Sequence, residues 1–132
     1  MPFLLDTNIC IYIIKKKPIK VLNKLKKCKM SDVSISSITL SELEYGVSKS
    51  SNPEKNKLAL TEFLAPVDIL PYDDMAAVVY GGVRAFLEKS GKIIGPMDLL
   101  IASHALSLNY ILISNNIKEF ERVPNLKVKN WV

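Results

Sequence analysis

The stretch "FLLDTN", Phe3 to Asn8, runs three apolar side chains straight into an aspartate before apolar character resumes in "ICIYII". A carboxylate there has two ordinary uses. Asp6 or Thr7 can cap the segment that follows by accepting its free N–H groups. As a reacting group Asp6 would need further acids, and the sequence supplies them at comparable places. "SSITLSELEYG" carries Glu42 and Glu44 within the first turns of a helical pattern whose apolar side holds Leu40 and Leu43; periodicity does not choose between the two acids. Asp98 enters "PMDLLIASHAL", where nearly everything around it is apolar, so it must be exposed or have a partner. Asn116 and Glu119 follow the apolar run "YILIS".

Carboxylates that converge repel one another, and their pKa values rise unless cations neutralise them. Hard oxygen donors suit Mg²⁺ or Mn²⁺, bound through a few carboxylates and retained water. Such ions generate hydroxide from water and stabilise the leaving oxygen of a phosphodiester. Other chemistries find little support. His104 is the single histidine, sits on an apolar helix, and reads as a packing residue. GxGxxG, GxxxxGK[ST] and GxSxG are all missing. Cys10 and Cys28 lack the CxxC spacing of a zinc or redox site. The remaining class is a metal-dependent hydrolase.

The elements that must position these acids alternate. "PFLL", "VSIS", "VDIL", "YILIS" and the final "LKVKNWV" read as strands or extended pieces. "TNICIYIIKK", a segment opened by Pro18, Thr39 to Lys49, "NPEKNKLALTEFL", Asp73 to Ser90 and the run from Pro96 read as helices, and "NNIKEF" as a short helical turn. That alternation predicts an α/β fold, a central and mostly parallel sheet with helices on both faces. In such sheets ligands gather at the carboxyl ends of the strands, and Asp6 lies at one of them.

The chain's 132 residues suit one domain, here expected to span 1–132. Apolar residues make up 48% and charged ones 23%, which excludes a disordered chain. No apolar run is long enough to span a membrane and no secretory signal is visible, so the expected location is cytoplasmic. Eight of the eighteen basic residues fall between Lys15 and Lys29 in a chain of net charge +5. That run is either a solvated helix face, with Ile19, Leu22, Leu25 and Cys28 as its apolar stripe, or a surface for phosphates.

Taken in order, "LLDTNICIY", "SSITLSELEYG", "IGPMDLLIASHAL" and "YILISNNIKEFERVPNLKVKNW" resemble the four motifs of PIN-domain ribonucleases, and more narrowly those of VapC toxins of type II toxin–antitoxin systems. The resemblance covers essentially the whole chain. It implies a PIN-like three-layer sandwich and a magnesium-dependent endoribonuclease, with Mn²⁺ a possible substitute, that cuts a structured RNA such as tRNA. Asp6 and Asp98 match the principal metal ligands. Glu42 matches the second acid through the pattern Glu-Leu-x-x-Gly, completed by Leu43 and Gly46, which sets Glu44 aside. Glu119 matches the acid of the last motif, with Asn116 beside it where many relatives carry aspartate. Thr7 and Ser114 match hydroxyl positions that orient the acids. The implied partners are a VapB-type antitoxin, operator DNA reached through that antitoxin, and a second copy of the chain in a homodimer or larger complex. Ile11, Tyr12, Ile14 and Tyr45 are candidates for the antitoxin's groove.

Other small α/β classes fit less well. A phosphoacceptor receiver needs an acidic pair at the first strand and a lysine after the last, and a haloacid-type phosphatase needs Asp-x-Asp where this chain has Asp6, Thr7 and Asn8. The remaining alternative is a catalytically silent PIN-fold binding module.

Overall fold

A computed structural model describes residues 2–132. Strand β1 (Phe3–Leu5) lies at the centre of a five-stranded sheet, between β2 (Val33–Ser36) and β4 (Ile111–Ile113). The outer strands are β3 (Asp68–Leu70) and β5 (Val128–Lys129), giving the order β3-β2-β1-β4-β5. Every pairing is parallel, with Phe3 opposite both Val33 and Ile111. The expectation of a mostly parallel sheet is thus met in full. A parallel sheet is covered on both faces, and so Leu4 and Leu5, neighbours pointing opposite ways, are both fully buried.

Helices α1 (Thr7–Lys15), α2 (Ile19–Lys26), α3 (Ser37–Lys49) and α4 (Pro53–Leu64) cover one face, packing Ile9, Cys10, Ile13, Val21, Leu43 and Leu60 against Leu5, Ile35 and Ile113. Helices α5 (Asp74–Ser90), α6 (Pro96–Leu108) and α7 (Ile117–Phe120) cover the other, where Val83, Leu87, Leu99, Ala102 and Phe120 meet Leu4 and Leu112. The result is the three-layer α/β sandwich. Among the described residues no helix is long and apolar enough to cross a membrane.

Helix ends follow local chemistry. Asn52 accepts the Lys55 N–H and Pro53 takes the first helical position of α4. Asp73 accepts the Ala76 N–H at the start of α5, and Gly91 ends that helix in the left-handed conformation at φ 67°. Two expectations need correction. Helix α2 begins at Ile19 with Pro18 in the capping position, and its buried anchor is Val21, whereas Ile19 is 60% exposed. The three-residue spacing of Ile19, Leu22 and Leu25 drifts around a 3.6-residue helix, so Val21 with Leu22 and Leu25 meets the core instead. Helix α3 begins at Ser37, earlier than Thr39, because Ser36 caps it by accepting the Ile38 N–H at 3.1 Å.

The chain lays β2 and β3 to one side of β1, then β4 and β5 to the other. Connections leaving the carboxyl ends of β1 and β4 therefore diverge onto opposite faces, opening a crevice between them.

Candidate active site

Asp6 follows β1 directly at that crevice. It is both cap and site residue: Oδ1 accepts the Thr7 N–H at 2.8 Å, while Oδ2 accepts the Ser114 hydroxyl, also at 2.8 Å, across the neighbouring strand. Burial to 4% exposure pushes its carboxyl above the usual range, the two hydrogen bonds pull it back, and Glu42 and Glu119 push it up again through like charge.

Thr7 reaches the other way. Its single hydroxyl hydrogen goes to Glu42 Oε1 at 2.6 Å, which leaves Thr39 to donate to Thr7 Oγ1 across 3.3 Å. The two acids that periodicity could not separate are now separated. Glu42 faces the crevice, whereas Glu44 turns outward to an ion pair with Lys57 on α4.

Glu119 and Asp98 complete the cluster from α7 and α6. Glu119 Oε1 accepts the Gly95 N–H at 2.8 Å and Oε2 accepts the Asn116 amide at 2.9 Å. The Gly95 N–H holds the Glu119 carboxyl below its usual range, with Asn116 and Arg122 adding to the effect. Asp98 moves oppositely: burial, then the adjacent Glu119 carboxylate, then the charges of Asp6 and Glu42 raise it to about 7. One acid of the neighbouring pair is held ionised while the other tends to keep a proton.

The structure thus brings Asp6, Glu42, Asp98 and Glu119 to one crevice, with Asn116 bonded to Glu119. Ser114 and Thr7 orient acids as hydroxyl donors, and Ser114 Oγ also accepts the Asn116 N–H at 3.0 Å. His104 is buried on α6, with Nδ1 2.8 Å from the Ser36 hydroxyl and its ring edge-on to Tyr72; burial lowers its pKa. That environment is a packing site.

Three contributors lay outside the sequence reading. Gly95 donates to Glu119, and a Cβ there would stand 3.4 Å from Glu119 Oε1 and 3.6 Å from Asp98 Oδ2. Its position before Pro96 at a helix start was the available signal. Thr39, fully buried one turn before Glu42, backs Thr7. Asn115 donates to the Tyr12 hydroxyl at 2.9 Å and keeps its buried Oδ1 unpartnered, tying the turn after β4 to α1.

Among the described residues no three His, Cys, Asp or Glu side chains are arranged to hold a metal ion by themselves. The donor set still fits a hard divalent cation, since such an ion binds through one or two carboxylates and several waters. Mutual repulsion among four acids is the electrostatic state a cation would relieve.

Comparison with known proteins agrees with the fold and the family resemblance. The PIN domain family model matches residues 3–126. Ribonuclease VapC2 of Rickettsia felis is 48% identical, the alignment covering 99% of this chain and 98% of that protein. The chain belongs to the PIN-domain family, among the VapC ribonucleases. A tRNA(fMet)-specific endonuclease VapC from Shigella flexneri is 45% identical to this VapC-family chain, covering 99% of it and 98% of the relative. The crystal structure of VapBC2 from Rickettsia felis bound to a DNA fragment from their promoter contains a chain that superposes with a TM-score of 0.94 at 46% identity, with 100% of both chains covered. PIN-domain nucleases depend on metal as a class.

Proposed function

We propose that this chain is the toxin of a type II toxin–antitoxin pair, an endoribonuclease that uses Mg²⁺, with Mn²⁺ as a substitute, to hydrolyse a structured RNA. The observation that carries the reading is the four-acid crevice, in which Asp98 is raised to about 7 by burial and by its acidic neighbours. Transfer RNA is the first substrate class, because a relative 45% identical is a tRNA(fMet)-specific endonuclease. A tRNA target puts the work in the cytoplasm. The acting unit is one PIN-like domain spanning 1–132.

Asp6 and Asp98 would hold the ion, which when bound supplies an activated water and charge for the leaving oxygen. Ser114 keeps one Asp6 oxygen fixed, so that the carboxylate presents a defined face to the crevice. Glu42, anchored by Thr7, and Glu119, anchored by Gly95 and Asn116, orient the attacking water and accept its proton.

The partner is a VapB-type antitoxin. An apolar groove of about 330 Å³ lies between α1, α3 and α4, lined by Ile11, Ile14, Leu43, Gly46, Val47 and Leu60 and reaching Glu42. A peptide seated there would meet Glu42 of the acidic crevice. Of the four groove candidates named from sequence, Ile11 and Ile14 line it; Tyr12 and Tyr45 do not, Tyr45 being turned to solvent. Operator DNA is reached through the antitoxin, in keeping with the promoter-bound VapBC2 assembly. The exposed Met75 and Val78 of α5 offer a second copy of the chain an apolar surface, for a homodimer within the larger complex.

Incubation of the chain with initiator and elongator tRNA transcripts in magnesium tests the proposal. Cleavage at a defined site, suppressed by the co-expressed antitoxin, is the expected result. Intact tRNA and intact total RNA under the same conditions would leave the binding-module alternative in its place.

A further inference from the structure

Resting on the ribonuclease reading above, we propose that the cleft between the end of α5, the loop that follows it and α7 is an RNA-binding subsite, where Lys92 and Lys118 hold phosphates and the ring of Phe86 takes a base. The cleft has a volume of about 430 Å³ and is lined by Phe86, Lys92, Lys118, Glu121 and Arg122, among others. Three cations face one acid there. Among the described residues neither lysine nor Arg122 makes an ion pair, and the cleft keeps an excess of positive charge over its one acid, Glu121. Phe86 is 50% exposed at the same place, although burying such a ring is favourable. Cations tracking a backbone beside an aromatic stacking surface are the working parts of single-stranded RNA binding.

The cleft and the acidic crevice draw on the same two segments, α7 and the loop that precedes α6. Lys118 precedes Glu119 on α7, and Lys92 lies in the loop that ends at Gly95, which donates to Glu119. Arg122 Nη1 donates to the Ile93 carbonyl at 3.0 Å, clamping that loop to the turn that follows α7. A strand whose scissile phosphate meets the acids therefore passes into a positive cleft in either the upstream or downstream direction. This also answers an electrostatic problem, because the acids alone repel a polyanion.

The test uses the full chain carrying Asp98→Asn to silence cleavage, with a fluorescently labelled tRNA transcript and anisotropy read across a salt series. Lys92→Gln with Lys118→Gln should weaken binding about tenfold and flatten the log–log salt slope by about 1.4, the release expected for two phosphates of a single strand. Phe86→Ala should weaken it by a similar factor with the salt slope unchanged. The same lysine pair in the cleavage-competent chain should raise KM about tenfold and leave kcat within about twofold, because the contacts are made equally in ground and transition states. Lys20→Gln with Lys24→Gln, in a separate basic cleft formed by α2 and residues 130–132, serves as the comparison. Unchanged affinity in the Lys92/Lys118 and Phe86 variants, or an equal loss from the α2 pair, overturns the subsite while leaving the ribonuclease reading intact. A chain that neither binds nor cuts any RNA overturns that reading as well.

Discussion

The Ser114 hydroxyl, at the end of β4, donates to Asp6 Oδ2 at the end of β1, 2.8 Å away and 108 positions distant in sequence. This bond joins the two strands between which the sheet order reverses and fixes the most buried acid of the crevice. Ser114→Ala should therefore act on the acid more than on the fold. Metal affinity, read by calorimetry, should fall by about 10- to 100-fold, and cleavage at limiting metal with it. Unaltered metal affinity in a folded variant would show that Asp6 needs no such anchor.

The elevated Asp98 carboxyl predicts opposite pH trends for stability and activity. Its pKa is raised from 3.8 to about 7 on folding, so the metal-free folded state binds the extra proton between those values. The stability it contributes is complete below the unfolded value and is lost as pH rises through about 7. Glu119, held low by the Gly95 N–H, works the other way and loses its contribution only in acid. Urea unfolding of the metal-free chain should show stability falling between about pH 4 and 7, and Asp98→Asn should abolish most of the fall. Cleavage at limiting magnesium should climb over the same interval, as the ion competes with the Asp98 proton.

Gly95 is a spacing residue. Its φ of −56° and ψ of 148° suit any residue before proline, so backbone conformation does not demand glycine. Space sets the limit on size: a lone Cβ would sit in ordinary contact with the two carboxylate oxygens, and a bulkier side chain would run into them. Gly95→Ala should fold normally and lose less than about tenfold in cleavage rate, whereas Gly95→Val should displace Glu119 and cost more than about tenfold, each checked by melting temperature and initial rate. Equal rates for the two variants would contradict this.

Gly46 separates helix stability from partner binding. It lies inside α3 and lines the apolar groove, and a Cβ there meets nothing within 4 Å. Gly46→Leu should stabilise the chain by about 0.5–1 kcal/mol in denaturant titrations through helix propensity. The same side chain fills the groove, so antitoxin binding should weaken at least about tenfold while RNA cleavage by the free chain persists. Undiminished antitoxin affinity would place the docking surface elsewhere.

Legibility of this site followed the range of the interactions that build it. Asp6 and Asp98 stood out locally, as acids in otherwise apolar surroundings beside a strand end and a helix start. The alternation of elements was enough to anticipate the sandwich, since parallel strands need helical crossovers. Glu42 and Glu44 lie on different sides of one helix, and partners on other elements, the Thr7 hydroxyl 35 positions away from Glu42 and Lys57 beside Glu44, distinguish their roles. Resemblance made that choice before geometry did. The anchoring bonds from Ser114, Thr39 and Gly95 all cross between elements, so no local periodicity encodes them. Val21 escaped for a related reason: which side of α2 is buried depends on where the helix docks, and a lysine-rich helix with scattered apolar residues leaves that open.

The most direct test is cleavage of total RNA by the purified chain in magnesium and in EDTA, beside Asp6→Ala prepared identically. The account predicts discrete fragments from the unmutated chain with magnesium alone, at least about a hundredfold fewer from Asp6→Ala, and none in EDTA. Equal fragmentation by both proteins, or undiminished cleavage in EDTA, would contradict a metal-dependent nuclease centred on Asp6.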